Sequence, residues 1–415
     1  MSSNTPQFTE SAQGPDAAWQ ELEAALQQNR LAPRGSAAFG FYPSMPNPAV
    51  LALQNKVRQH GHDGFSDFAY NGVAEYLDTH LRALGSELFH LDNENRGGLV
   101  LASCTLAIQQ MIHMALSRFY AARGHDFLNE GHHPDAHPVI LTPQDGQFLI
   151  ERCAIASGLG AKSCHAYLPG NLPSTLNEIK NRRGDLVMNF MVGGHTTTGL
   201  VAPIGETISQ VMEANVNPVH FLDASAHGFN LWAQDRTAEI DFTHPIDALA
   251  LNPQKAGFPL GGTVLLLRDT AILKSVMREE TDNRLRMQSQ APWLVSRDVS
   301  SALSFFATLK GEGLGAFRAE RLQAVQMQRA LRARLSTRPD RFEVLPCDNT
   351  VLAFKIRGEC QTWALAERLN NGAGGSFIAY SPGNELQRGD FLWAVTQAHH
   401  TEADVEALFK NLCTM

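Results

Sequence analysis

The chain has 415 residues, enough for one large domain and a smaller one. Its formal net charge of −8 argues against nucleic acid or an anionic membrane as the main partner, and no apolar run approaches the roughly 18 residues of a membrane span. Six scattered cysteines (Cys104, Cys153, Cys164, Cys347, Cys360, Cys413), without CxxC or paired spacing, and a polar N-terminus without a signal core read as a reduced, cytoplasmic protein.

Residues 1–16 read as disordered. The spacing of Trp19, Leu22 and Leu26 predicts a helix over 17–28, and 35–48 is a Gly/Pro/aromatic loop too apolar for a plain linker. From about residue 60 strands and helices alternate. Strands are expected over 99–102, 139–142, 161–167, 186–192 and 219–222, with helices over 105–123, 147–157, 174–182 and 207–215. Apolar runs on both sides of Lys255, the second over 263–267, complete this series. Beyond 290 the pattern changes to two long amphipathic helices, 298–310 and 314–335, then strands at 342–345, 350–356 and 391–396 around a helix at 361–370. The expected division is an N-terminal arm (1–59), a large α/β domain (60–290) and a small α+β domain (291–415). Alternation of this kind implies a mostly parallel sheet whose ligands bind at the carboxyl ends of its strands.

Two strand ends carry chemistry. The run Val219-His-Phe-Leu-Asp223-Ala224-Ser225 ends in an acid followed by small residues, and Leu251-Asn-Pro-Gln254-Lys255 places a lysine at the rim of the core. Desolvation there lowers an amine's pKa and makes it nucleophilic. A lone lysine after a strand is usually a solvated turn residue. Paired with a strand-end carboxylate, it is what pyridoxal phosphate requires: the lysine forms a Schiff base and the acid keeps the pyridine nitrogen protonated.

This layout resembles the fold-type I pyridoxal-phosphate enzymes (aspartate aminotransferase-like), and among them the group II amino-acid decarboxylases, from about residue 60 to the C-terminus. Where that family has a Ser-Gly-Gly-Thr-like turn opening a helix, this chain has Ala102-Ser103-Cys104-Thr105. The resemblance assigns Ser103, Cys104 and Thr105 to the phosphate, in place of a plain N-cap. The family's Gly-Thr-Thr segment is matched by Gly194-His195-Thr196, so Thr196 falls where a hydroxyl holds cofactor or substrate, and His195 replaces a threonine. The family's His-Val-Asp-Ala-Ala strand is matched by His220-Phe-Leu-Asp223-Ala224-Ser225, with Asp223 the pyridinium partner, Ala224 and Ser225 beneath the ring, and His220 displaced by one position and without a role. The return strand after Lys255 and the Ser296-Arg297-Asp298 run also follow the family.

Departures stand beside the matches. Gln147 takes the place of the histidine that stacks on the cofactor ring, and the family's His-Lys pair has become Gln254-Lys255. Glutamine donates to a phosphate but does not titrate near neutrality. Many family members carry a loop tyrosine some thirty residues past the lysine, yet no tyrosine occurs between Tyr167 and Tyr380. The resemblance implies a cytoplasmic homodimer with its active site at the interface, acting on a small amino acid by α-decarboxylation. Another lyase, β/γ-replacement or carbon–carbon bond-forming reaction on the same cofactor is the alternative, and a non-catalytic relative is a third.

Further candidates are weighed singly. His227, just past the Asp223 strand, is placed for a general acid or for a structural role. The histidines of 125–137 lack metal-ligand spacing and read as a surface loop, with no metal expected. His399 and His400 precede a Thr401/Glu402 helix cap. Tyr42, Phe65 and Tyr70 are pocket or interface aromatics, and Arg388 is a candidate for the substrate α-carboxylate.

Overall fold

The computed structural model describes residues 16, 20, 39, 48–59, 71–168, 170–214, 216–258, 262–276, 300–358, 362–371, 378–381 and 390–414. The helix expected over 17–28, most of the aromatic loop, Tyr42, Phe65, Tyr70, the 296–298 run and Arg388 lie outside the described residues.

Seven strands form the main sheet: β1 (Gly97–Leu101), β2 (Pro138–Pro143), β3 (Cys164–Tyr167), β4 (Asp185–Val192), β5 (Val219–Asp223), β6 (Ala248–Leu251) and β7 (Thr263–Leu267), in the order β1-β7-β6-β5-β4-β2-β3. The five strands from β6 to β3 pair in parallel, whereas β7 runs antiparallel to both β6 and β1. The inner strands are near-continuous apolar runs because both faces are covered, whereas the edge strand β3 (Cys-His-Ala-Tyr) is mostly half-buried. On β7, Val264 and Leu266 enter one core while Leu265 and Leu267 enter the other, the two-residue period of a strand.

One face is covered by α3 (Cys104–Ala121) and α4 (Gln147–Ala156), which bring Ile108, Met111, Ala115 and Ile150 onto Leu99, Phe190 and Phe221. The other face packs against α2 (Asn71–Phe89), through Leu77, Leu81, Leu84 and Leu88, and against Phe305 and Phe306 of a long helix further on. Helices α5 (Leu172–Asn181) and α6 (Ile204–Glu213) close the crossovers around β4. The apolar periodicity located these crossover elements to within three residues at each end. It did not announce α2, nor α1 (Pro48–Gln59), whose first residue is a proline tolerated only because the first turn needs no amide. Nor did it announce α7 (Gly228–Ala233), which is buried all round and so carries no amphipathic signal.

The long helix α8 (Ser300–Ser336) is one run of hydrogen bonds broken at Gly313, where φ is +84°, so the break expected between 310 and 314 is present. Its first arm packs on α1, where Gln54 Nε2 donates to Ser301 Oγ at 2.9 Å. Its second arm lies on a four-stranded antiparallel sheet, β10-β11-β9-β8. That sheet comprises β8 (Phe342–Val344), β9 (Val351–Ile356), β10 (Ala379–Ser381) and β11 (Phe391–Val395), with α9 (Thr362–Asn371) and α10 (Glu402–Thr414) completing its core. Thr401 caps α10 reciprocally with Asp404, not with the adjacent Glu402.

Candidate active site

Three chain segments converge at the carboxyl edge of the main sheet. The first is the end of β5, where Asp223 emerges from a buried strand and its backbone carbonyl accepts the Gly193 N–H at 2.8 Å. The second is the turn after β6. There the Asn252 side chain accepts the Gln254 N–H at 3.0 Å, and Pro253 and Ala256 are buried, which holds Lys255 at the rim of the core. The third is the N-terminus of α3, where the Ser103 hydroxyl accepts the Leu106 N–H at 3.2 Å. The first amides of a helix have no intrahelical acceptor, so this end of α3 is suited to an anion.

Asp223, Cys104 and Lys255 share one pocket of charge. Asp223 Oδ1 accepts the Ser225 N–H at 3.0 Å, and the Cys104 thiol donates to Oδ2 with Sγ at 3.4 Å. Burial first, and then the Asp223 charge, push the Cys104 thiol well above the ordinary range, so it stays protonated and remains a donor. Burial lowers the pKa of the Lys255 amine, while the charge of Asp223 opposes that shift. The structure thus brings Asp223, Lys255, Cys104 and Ser225 together. Ser103 caps α3 beside them, and Thr105 is exposed on its first turn. Gln254 shares the turn of Lys255 and is half-buried. The Gln147 amide donates to Glu151 one turn along its own helix, at 2.6 Å. Thr196 is exposed on the loop after β4.

That loop packs closely on its neighbours. A Cβ on Gly194 would lie 2.7 Å from the His227 ring, and one on Gly199 would lie 2.1 Å from the Asp348 carbonyl. Both glycines let the loop pack directly on its neighbours. His195 Nε2 faces Asp145 Oδ2 at 3.3 Å, and its Nδ1 lies 3.1 Å from the Thr198 hydroxyl. Asp145 sits in a short 3-10 turn between β2 and α4, and nothing in its local sequence distinguishes it from an ordinary turn acid. His227 is fully buried at the start of α7. Burial drives its pKa down to about 3, partly offset by a hydrogen bond to the His195 backbone. Its imidazole is therefore neutral at physiological pH.

Three other histidines have structural surroundings. His220 is buried with Nδ1 3.1 Å from Asn189 Nδ2. His125 pairs with Glu130 at 2.9 Å, and His132 meets the Tyr120 hydroxyl at 3.2 Å. Among the described residues no group of three or more His, Cys, Asp or Glu side chains converges as a metal site.

No family model matches the sequence, and no curated protein sequence is similar to it. Solved structures do match along almost the whole chain. Oryza sativa TDC, crystallised with PLP and tryptamine, superimposes with a TM-score of 0.85 at 16% identity, over 98% of this chain and 89% of that one. Mouse CSAD gives 0.80 at 18% identity, over 98% and 89% of the two chains. Catharanthus roseus tryptophan decarboxylase in complex with L-tryptophan gives 0.80 at 14% identity, over 99% and 90%. The chain has the fold-type I architecture of these structures. At this level of identity the likeness establishes the fold, and the chemistry rests on the residues.

Proposed function

We propose that this protein is a pyridoxal-phosphate-dependent enzyme that α-decarboxylates a small amino acid. One observation carries the reading: a carboxylate and a desolvated amine, Asp223 and Lys255, meet at the carboxyl edge of the main sheet beside the N-terminus of α3. These residues fit the group. An aldehyde needs an unprotonated amine, and burial shifts Lys255 in that direction. A pyridinium needs a carboxylate that does not rotate away, and Asp223 is held at both oxygens, by the Ser225 amide and by the Cys104 thiol. A phosphate needs donors, and Ser103, Thr105 and the first amides of α3 stand at one helix end, with Gln254 on the adjoining turn. When bound, pyridoxal phosphate supplies an aldehyde for an amine and a protonated ring that draws electrons from a bond broken at Cα.

The chain's own part is to position and to hold protons. Lys255 offers its amine as nucleophile. Asp223 keeps a proton at the ring nitrogen, and because Cys104 stays protonated it adds no second negative charge beside that carboxylate. Gln147, on the first turn of α4, would lie at the ring face in place of the family's histidine, without titrating. Thr196 contributes a hydroxyl from the loop after β4. His227, fully buried and neutral, is a positioning residue that supports that loop and has no proton to give at neutral pH. The similar architecture of a tryptophan decarboxylase bound to its amino acid supports decarboxylation over the other reactions open to this cofactor. We further propose a homodimer in the cytoplasm. No helix among the described residues is long and apolar enough to cross a membrane.

Absorbance and carbon dioxide trapping test the reading. The protein incubated with pyridoxal phosphate is expected to turn yellow, with a band lost on borohydride treatment, and to release carbon dioxide from its amino-acid substrate. Colourless protein that takes up no cofactor refutes the enzyme. Product without carbon dioxide refutes the decarboxylase.

A further inference from the structure

The loop that follows β4 is a bridge, with one foot beside Asp223 and the other on the small sheet. At its start the Gly193 N–H donates to the Asp223 carbonyl at 2.8 Å, and Gly194 lies against the His227 ring. The loop then folds back on itself. The His195 N–H donates to the Leu200 carbonyl and the Gly199 N–H to the His195 carbonyl, both at 2.7 Å. At the far end the Asp348 N–H donates to the Thr198 carbonyl at 2.7 Å, and Asn349 Nδ2 donates to the Gly199 carbonyl at 2.6 Å. Thr196 stands inside this closed turn, two residues from Thr198, so a displacement at Thr198 and Gly199 carries to it.

The small-sheet foot, in the turn between β8 and β9, is built to make those two bonds. Asn349 is buried, and its φ of +57° lies in the left-handed region that asparagine tolerates better than most residues. Its amide is used at both ends, because Oδ1 accepts from Gln234 Nε2 at 2.9 Å. Gln234 Nε2 also donates to the Asn230 carbonyl at 3.1 Å, which fixes it as the nitrogen and so fixes which end of Asn349 faces Gly199. Asp348 is held in turn by Arg236, whose Nη1 donates to Oδ2 at 2.6 Å while its other nitrogens bind Glu239. Within the small sheet, the Thr350 carbonyl accepts the Thr396 N–H at 2.8 Å and the Thr396 hydroxyl at 3.1 Å, so the turn moves with β11. It thus grips both neighbours of Asp223: the loop of the adjacent strand β4, and the α7 stretch that follows Asp223 in the chain.

We propose that Asn349 is a positioning residue. Through its bond to Gly199, and with Asp348 beside it, the small domain sets the loop that carries His195 and Thr196 against Asp223 and Lys255. A loop held only by its own turn has several placements of similar energy; a buried amide fastened at both ends selects one. The seat of the small domain on the large one therefore governs how well the loop is placed for turnover. The part played in turnover rests on the decarboxylase reading, whereas the coupling of the loop to the turn does not.

Two variants test the proposal. Asn349→Asp keeps the size and the backbone angle but turns an oxygen toward the Gly199 carbonyl, and Asn349→Gly removes both side-chain bonds while adopting the angle freely. Hydrogen exchange of the full-length protein, followed by mass spectrometry of peptides spanning 193–200, needs no cofactor. Both variants should exchange there about ten-fold faster or more, as for loss of a buried hydrogen bond. Asn370→Asp, which breaks the 3.2 Å bond from Asn370 Nδ2 to the Ile378 carbonyl within the small domain, should leave those amides unchanged. In protein loaded with pyridoxal phosphate, the Asn349 variants should keep the borohydride-sensitive band, because Lys255 and Asp223 are intact. They should lose about ten-fold or more in kcat, with KM changed less than about three-fold. The proposal is overturned if loop exchange in both Asn349 variants matches the parent, if Asn370→Asp speeds it as much, or if a loosened loop leaves kcat unchanged. A protein that takes up no cofactor overturns the proposed function, while the exchange result still decides whether the turn holds the loop.

Discussion

The two edges of the main sheet treat charge in opposite ways. At the amino edge the arginines lie against acceptors, although burial lowers the pKa of Arg268 as well. Arg123 pairs with Asp185 at 2.9 Å, Arg118 donates to the Asn217 carbonyl at 3.1 Å and faces Asp247 at 3.5 Å, and Arg268 bonds the carbonyls of Ile246 and Phe242, both at 2.6 Å. At the carboxyl edge burial moves the groups away from their ordinary protonation: Lys255 downward, Cys104 upward, His227 to about 3. Satisfied pairs hold a fold together, and desolvated groups kept close to one another are poised for a reaction. The number of imidazoles is no guide to which is which, since the histidine-rich loop at 125–137 belongs to the satisfied class.

The contrast is broken most severely at Lys255. Lys255→Ala should abolish the borohydride-sensitive band and lower turnover by about a thousand-fold or more, because an essential nucleophile is removed; a variant as active as its parent would refute the assignment. Asp223→Asn keeps the shape and removes the charge. It should leave cofactor binding measurable while lowering kcat by about a hundred- to a thousand-fold, the scale of a lost preorganised electrostatic contact. Stopped-flow spectra with substrate would separate the two effects.

His227 gives a pH signature. With a folded pKa near 3 against an ordinary 6.5, the unfolded chain binds more protons between those values, so stability falls as pH drops through that window. The penalty reaches about 4–5 kcal/mol at its acid end, as an upper figure for a buried group. In His227→Gln, urea midpoints measured from pH 7 to pH 4 should decline less steeply than in the parent. A parallel decline would show that His227 does not govern the acid limb. At the satisfied edge the expected effect is small. Arg123→Ala should cost under about 1 kcal/mol and leave turnover unchanged, as for a half-exposed ion pair.

Much of this architecture was legible in the chain because parallel strands buried on both faces are written as apolar runs. The two strand-end residues were legible because a lysine and an acid in those places have few bland explanations once paired. The hydrogen bond between Cys104 and Asp223 was not. A short polar turn reads as a phosphate cradle, and only the fold reveals that the thiol turns toward the carboxylate. Asp145 was equally silent, since its meaning depends on His195, which lies on a different loop. Helix α7 gave no periodic signal because every side of it is buried.

The kink in α8 has a mechanical meaning. A Cβ at Gly313 would meet nothing within 4 Å, so crowding does not keep a larger residue out; the backbone angle of +84° does. With alanine there the two arms would tend to join as one straight rod, and the tilt between the seven-stranded and four-stranded layers would change with them. The angle between the two arms therefore turns on a single bare α-carbon, which lines a small pocket with Ala256 and Gly257 just past Lys255.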